Sequence, residues 1–250
     1  MKHKKRLDQL LVERALANDT KQAQALIMSG QVLVGTQKTD KPGEMVSVEA
    51  DITIKSRRDH PYVSRGGLKI AHGLDHFAID PAGTIALDVG SSTGGFTDVL
   101  LRRGATKVYA VDVGYGELDY RLRQDPRVVV LERTHARDVS RELIPDPIDI
   151  LVCDVSFIRL QNALPRPLEL VRPSGRGLVL IKPQFQLPRE LIGEGIVTDP
   201  ALHTRACEEA SSWFSSQKGW EVKGITPSPI LGGDGNTEFL LYIAKVRDSA

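Results

Sequence analysis

Leu87-Asp88-Val89-Gly90-Ser91-Ser92-Thr93-Gly94-Gly95-Phe96 is the stretch that decides the fold. Ahead of it, residues 84–89 form a short apolar run with β-branched members, which predicts a strand. Behind it, Phe96, Val99 and Leu100 share one face at helical spacing, with charges on the other, which predicts a helix over 96–103. A strand, a glycine-rich turn and a helix bring free backbone N–H groups and the positive end of a helix dipole to one point. Glycine lets such a turn bend sharply and approach a ligand. The run 107–111 reads as the next strand and ends at Asp112. An acid there accepts hydrogen bonds from ribose hydroxyls in doubly wound nucleotide sites.

The turn departs from the dinucleotide fingerprint G-x-G-x-x-G and reads Asp88-x-Gly90-x-x-x-Gly94-Gly95. An acid at the strand end sits badly beside a pyrophosphate and well beside a cation. S-adenosylmethionine carries both an ammonium and a sulfonium. The loop resembles the first motif of class I methyltransferases. That resemblance implies cofactor contacts from Asp88, Gly90, Ser91, Ser92, Thr93, Gly94, Gly95, Phe96 and Asp112. A nicotinamide-dependent dehydrogenase is the competing enzyme class; Asp88 and the missing G-x-G argue against it.

A chain of 250 residues allows one large or two small domains. Apolar content of 41% and charged content of 26% are those of a soluble globular protein. The net charge of +1 is unevenly spread: residues 1–69 hold 13 Lys/Arg against 8 Asp/Glu, and the remainder 20 against 24. A basic head on a mildly acidic body points either to a polyanion-binding module on an enzyme domain or to a solvated basic surface. Cys153 and Cys207 have neither metal nor redox spacing, which fits a reducing compartment. Met1-Lys2-His3-Lys4-Lys5-Arg6 leads into an amphipathic segment, and no run approaches the ~20 apolar residues of a membrane span. A cytoplasmic protein without a membrane partner is expected. No cluster of His and carboxylates has ligand spacing, so no metal is expected.

In the basic head, Leu7, Leu10, Leu11 and Leu16 make one face of a first helix. Asp19 caps a second that runs to residue 28, with Gln22 at its third position and Gly30 ending it. Strands over 31–34 and 45–48 are expected to form a β-hairpin through Asp40-Lys41-Pro42-Gly43. Ala23, Ile27, Gly30, Val32 and Val34 keep the spacing A-x-x-x-I-x-x-G-x-V-x-V, and the segment resembles the ribosomal-protein-S-four type (α-L) RNA-binding module. Asp19-Thr20 replace the module's usual Ser-Arg, and Gly35-Thr36 its Asn-Gly. Lys21 is the candidate to replace the phosphate contact of the lost Arg.

A polar, charged stretch around 56–61 reads as a linker. The double glycine Gly66-Gly67, flanked by Arg65 and Lys69, is a candidate phosphate cradle. Leu68, Ala71 and Leu74 predict a helix packed on the sheet. Further strands are expected over 128–131, 149–154 and 177–181, the second of these apolar throughout and so buried on both faces. The turn 133–138 lies where the adenine of a methyltransferase cofactor would be. Residues 186–198 form a candidate lid, Asp199-Pro200 begin a helix running to 217, and 220–225 and 238–244 are the last strands.

Asp154 and Lys182 end two of these strands over the presumed pocket, and Lys69 and Glu238 are candidates to join them. A lysine at an apolar strand end is costly to bury charged, so a function or a partner is expected. Lys, Asp, Lys and Glu in this order resemble the tetrad of the FtsJ-type ribose 2′-O-methyltransferases. The whole chain resembles the TlyA/hemolysin A family through Val63-Ser64-Arg65-Gly66-Gly67-Leu68-Lys69, Ser92-Thr93-Gly94-Gly95-Phe96-Thr97-Asp98, Asp154-Val155-Ser156-Phe157-Ile158, Lys182-Pro183-Gln184-Phe185 and Gly235-Asn236-Thr237-Glu238-Phe239.

The resemblance implies an α/β fold: a Rossmann-like class I methyltransferase sheet with helices on both faces, over 64–250. A small α+β RNA-binding domain precedes it over 1–57, with a linker at 58–63. It implies S-adenosylmethionine as cofactor, with His135, Ala136 and Asp154 added to the contacts above; His135 stands where the family has Asn. It implies ribosomal RNA or ribosomal subunits as partner, with Arg6, Lys21, Arg57, Arg58, Arg65 and Arg189 as the candidate RNA contacts. Lys182 becomes the candidate base for a ribose 2′-hydroxyl. It must be neutral to act, and the neighbouring Lys69 cation and partial burial favour that form. Asp154 and Glu238 would hold the two amines in place. A third class is non-enzymatic: an RNA chaperone, or a membrane-lytic protein as the word hemolysin suggests. No exported or amphipathic lytic segment supports lysis.

Overall fold

The computed structural model describes residues 3–54, 60–193 and 195–246. The chain divides into two compact units, Met1–Pro61 and Tyr62–Ala250.

The first unit runs β1 (Lys4–Arg6), α1 (Leu7–Glu13), α2 (Thr20–Met28), β2 (Val32–Val34), β3 (Gln37–Lys38), β4 (Met45–Ser47) and β5 (Ile52–Ile54). Asp19 caps α2 by accepting from Gln22 N at 2.7 Å, and Gln22 Oε1 accepts from Asn18 N at 2.6 Å, so both ends of the turn are tied. Leu7, Leu10 and Leu11 meet Ala23, Ile27, Val32, Val46 and Ile52 in one core. The expected hairpin between 31–34 and 45–48 does not form. β2 pairs with β3 and β5, while β4 pairs with β1. Gly35, at φ +62°, already turns the chain back after Val34. Ile52 and Ile54, which the sequence reading left outside any strand, supply the other edge.

The second unit runs α3 (Gly66–His76), β6 (Ile85–Val89), α4 (Gly95–Arg102), β7 (Lys107–Val111), α5 (Tyr120–Arg123), β8 (Val128–Leu131), β9 (Ile148–Cys153), α6 (Leu160–Ala163), α7 (Pro165–Leu170), β10 (Val171–Ile181), α8 (Pro183–Gln186), α9 (Pro200–Ser216), β11 (Trp220–Pro227) and β12 (Phe239–Lys245). Seven strands form one sheet in the order β11-β12-β10-β9-β6-β7-β8. The five central and outer strands from β10 to β8 are parallel, and β12 and β11 add antiparallel. Strand residues alternate between two apolar layers. Leu87, Val89, Leu151 and Val179 face α6, α7 and α9, while Ala86, Ile150, Val152 and Leu178 face α3 and α4. On α3 the buried face carries Ile70, Ala71 and Leu74; Leu68, expected on that face, is half-buried and turned toward its edge. The double glycine there begins α3. Gly67 N lies 2.9 Å from where a Cβ on Gly95 would stand, so these glycines let α3 and α4 touch.

Candidate active site

The chain winds outward from β6 to β8 and then returns to lay β9 on the other side of β6. At that switch point the carboxyl ends of two neighbouring strands part and leave a crevice. Val89 and Cys153 are paired across it, so the residues that follow them, Gly90 and Asp154, face each other. Asp154 N donates to Val89 O at 2.9 Å. Gly90 sits at φ +81°, and a Cβ on it would lie 2.6 Å from the Asp154 carbonyl oxygen. Only glycine satisfies both demands.

A cavity of about 630 Å³ opens here. Of the residues expected to bind the cofactor, Gly90, Ser92, Asp112, His135, Ala136 and Asp154 line it. Asp112 accepts from Ser92 N at 2.8 Å and from Gly114 N at 2.7 Å, which binds the glycine-rich turn to the loop after β7. Glu117 accepts from Ser92 Oγ at 3.1 Å beside it. Val113, Ala136, Ile158 and Ala163 add apolar wall. Carboxylates for hydroxyl donors, an apolar wall for a ring and the Asp154 carboxylate for a positive charge together fit an adenosine-bearing cation such as S-adenosylmethionine.

Asp88, Ser91, Thr93, Gly94, Gly95 and Phe96 do not line the cavity. Asp88 is on the sheet face toward α4 and is 0% exposed. Its Oδ2 accepts from Thr97 N at 3.0 Å and Thr97 Oγ1 at 2.7 Å, tying down the first turn of α4, while its Oδ1 has no partner. Burial pushes its carboxyl up to about 7, against the Thr97 hydrogen bonds and with help from the Asp154 charge. Ser91 N and O are used up by Val111 and Gly94. Thr93 is exposed and accepts from Asp119 N, Gly94 at φ +93° starts α4, and Gly95 and Phe96 pack against the start of α3. The glycine turn therefore builds the pocket more than it touches a ligand.

The four candidate catalytic residues form two ion pairs. Lys182, which follows β10, places Nζ 2.6 Å from Asp154 Oδ1, off the axis of a hydrogen bond, and donates to Ser156 Oγ at 2.8 Å. Lys69, on α3, donates to Glu238 Oε2 at 2.5 Å. Ile181 pairs with Phe239, so Lys182 and Glu238 flank one rung of the sheet. Burial raises the Glu238 carboxyl; the Lys69 cation opposes this first, then Lys182. The two pairs thus share one electrostatic site at the strand ends.

Ser156 and Phe157 follow Asp154 in the loop after β9. Both line the cavity. Phe157 is 89% exposed at φ +64°, an outlier for a bulky residue, with its ring 4.8 Å from that of Phe185. A phenyl ring held in strain toward solvent is a functional signal that residue type alone does not carry.

The RNA-contact candidates fall in both units. Arg6 is engaged with the buried Asp8, and Lys21 is exposed in the first unit. Arg65 and Arg189 are exposed in the second, Arg65 donating to Leu231 O at 3.4 Å. Arg57 and Arg58 lie outside the described residues. Among the described residues, no group of three or more His, Cys, Asp and Glu side chains is arranged to hold a metal, and no helix is long and apolar enough to cross a membrane.

Two family models match the chain: FtsJ-like methyltransferase over residues 62–245 and the S4 domain over residues 5–52. The 16S/23S rRNA (cytidine-2′-O)-methyltransferase TlyA of Mycobacterium tuberculosis is 41% identical, the match covering 100% of this chain and 93% of that protein. Hemolysin A of Brachyspira hyodysenteriae is 37% identical, over 95% of this chain and 98% of its own length. A solved structure from Streptococcus thermophilus, described as a hemolysin, superposes with a TM-score of 0.73 at 38% identity, covering 98% of this chain and 90% of that one.

Proposed function

The chain belongs to the FtsJ-like methyltransferase family, with an S4 domain ahead of the enzyme domain, and from that membership we propose that it methylates a ribose 2′-hydroxyl of ribosomal RNA in the cytoplasm. The observation that carries the reading is the pair of lysine–carboxylate contacts at the strand ends, one of them reaching the cavity through Asp154. S-adenosylmethionine, when bound, supplies a methyl group activated by its sulfonium. Asp112 and Glu117 would hold its ribose hydroxyls, and Val113, Ala136, Ile158 and Ala163 would flank its adenine.

A ribose 2′-hydroxyl is a weak nucleophile and must give up its proton as it attacks. Lys182 Nζ accepts that proton. Asp154 holds the Lys182 amine at the cavity edge, and Glu238 holds Lys69 beside it. Phe157, backed by Phe185, offers the target base an aromatic face beside the amine. The S4 domain and the Arg65 region supply phosphate contacts. Curated relatives that carry the word hemolysin lend the lytic reading nothing beyond that word.

The test is tritium transfer from labelled cofactor into ribosomal RNA by Lys182→Met and Lys182→Arg proteins, with melting temperature and calorimetric cofactor affinity measured alongside. Both variants should fold, bind cofactor and lose nearly all transfer, because a guanidinium stays protonated and cannot take the proton. A folded, active Lys182→Arg protein would end the assignment.

A further inference from the structure

Lys182 Nζ has one well-directed hydrogen bond, and it goes to Ser156 Oγ at 2.8 Å. The contact with Asp154 Oδ1 is shorter, at 2.6 Å, but lies off the hydrogen-bond axis. Asp154 supplies charge there, and Ser156 supplies direction. Both acceptors belong to the loop that follows β9, two residues apart, and both line the cavity.

A neutral primary amine has two N–H bonds and one lone pair. When a fixed acceptor takes one N–H bond, rotation about Cε–Nζ is arrested, and a carboxylate charge beside the nitrogen turns the lone pair away from itself. On the reading of Lys182 as base, we infer that Ser156 is a positioning residue: its hydroxyl oxygen fixes one N–H bond of the neutral amine, the Asp154 charge turns the lone pair away from itself, and the lone pair is left aimed at the incoming 2′-hydroxyl. The 2′-hydroxyl proton passes to Nζ, and Ser156 keeps its own. The lysine side chain has four rotatable bonds and is 11% exposed, so burial alone does not fix where its nitrogen points. Phe157, held at φ +64° directly after Ser156, limits the freedom of the loop that carries the hydroxyl.

Ser156 is exposed, so its substitution leaves the fold in place. The experiment uses the full chain with ribosomal RNA and S-adenosylmethionine, comparing the wild type with Ser156→Ala and Ser156→Thr across a pH series. Ser156→Ala should lower kcat by about 10- to 100-fold, the scale of one lost hydrogen bond together with a misaimed reacting group. The loss should persist on the high-pH plateau of turnover in each variant. KM for RNA, calorimetric cofactor affinity and melting temperature should stay within about twofold or a degree or two of wild type, since a surface substitution away from the core costs little. Ser156→Thr, which keeps the hydroxyl, should recover most of kcat. NMR relaxation of the Lys182 ε-methylene gives a readout independent of turnover, and it should show added motion in Ser156→Ala and none in Ser156→Thr.

A wild-type plateau kcat in Ser156→Ala overturns the inference, and so does a rise in RNA KM with kcat unchanged, which would make Ser156 an RNA contact. An equal loss in Ser156→Thr with an immobile Lys182 overturns it too. Lys182→Met separates the two levels of argument. If that variant is inactive while Ser156→Ala is unaffected, only the positioning role falls; if it is active, the base assignment falls.

Discussion

Replacing Asp88 by Asn tests what the acid at the head of the glycine turn is for. Asp88 is fully buried, and its carboxyl is raised from 3.8 to about 7. In the unfolded chain the group loses its proton near 3.8; in the folded protein it keeps it to about pH 7. Between those values the folded state binds the extra proton. Stability from this group is therefore fully present below pH 3.8 and is lost as pH rises through 7. At about 1.36 kcal/mol per unit, the whole shift corresponds to about 4 kcal/mol. Asn is nearly the same size, keeps an acceptor for Thr97 N and Oγ1, and does not titrate. Its amide stands where Asp88 Oδ1 has no partner, which costs about 1–3 kcal/mol at any pH.

The pH-dependent part is what isolates the carboxyl. Relative to wild type, Asp88→Asn should gain about 3 kcal/mol between pH 4.5 and pH 8, with most of the gain complete by pH 7. Urea unfolding followed by tryptophan fluorescence at several pH values measures it; Trp213 and Trp220 both lie in the second unit. Other titrating groups, among them the raised Glu238, are common to both proteins and cancel in the difference. Parallel stability curves for the two proteins across this range would refute the reasoning. So would a fall in cofactor affinity as large as that caused by removing a residue that lines the cavity.

Asp112→Ala should weaken calorimetric binding of S-adenosylmethionine by about 1–3 kcal/mol, because a charged hydrogen-bond acceptor is removed from the cavity wall; unchanged affinity would remove Asp112 from the site. Phe157→Ala should lower kcat/KM for RNA by about 1–3 kcal/mol, the worth of one base–aromatic stack, with cofactor affinity unchanged. RNA affinity of the full chain should fall steeply with salt in a filter-binding titration, as phosphate contacts release counterions; a flat salt response would count against the basic head as a phosphate contact.

The sheet was readable because its signals are local. The runs 107–111 and 128–131 coincide with β7 and β8, since β-branched apolar stretches bounded by turns have few other uses. Asp112, Asp154, Lys182 and Glu238 stand out in the sequence as candidates because they are polar groups at the ends of apolar runs. The first unit was less readable. Its strands are two or three residues long, too short for alternation to show, so partners had to be guessed from turns, and the guess chose Asp40–Gly43 over Gly35. The glycine turn misled in another way. A sequence shows that Asp88, Gly95 and Phe96 adjoin a ligand loop, but the side of the sheet each occupies depends on pleat and register. Asp88 follows the buried Leu87 and so faces α4, while Val89 and Gly90 lead to the cavity. Ser156 and Phe157 were unreadable as functional residues for a related reason. Their significance lies in a hydrogen bond to a lysine 26 residues away and in a positive φ, neither of which residue type encodes.

The Lys69–Glu238 pair is the clearest sign that the strand ends are organised for chemistry. Its partners are 169 residues apart, and their side chains are only 9% and 2% exposed. Burying two charges costs several kcal/mol per ion, which their attraction only partly offsets, and apolar replacements of similar volume often leave stability the same or better. The Glu238 carboxyl is raised accordingly, by burial first and with help from the Asp154 charge, against the pull of Lys69 and Lys182. A pair that is a poor device for holding a fold, yet stands one strand rung from Lys182, is better explained by what it does to Lys182 than by what it does for the core. Glu238, coupled to Lys69 first and then to Lys182, ties the two amines into one electrostatic site. The second pair completes the division of labour, since Asp154 belongs to both the cavity wall and Lys182. On the proposed reading, the carboxylate that would meet the cofactor's positive charge would also hold the base, and cofactor and nucleophile would be registered against one loop.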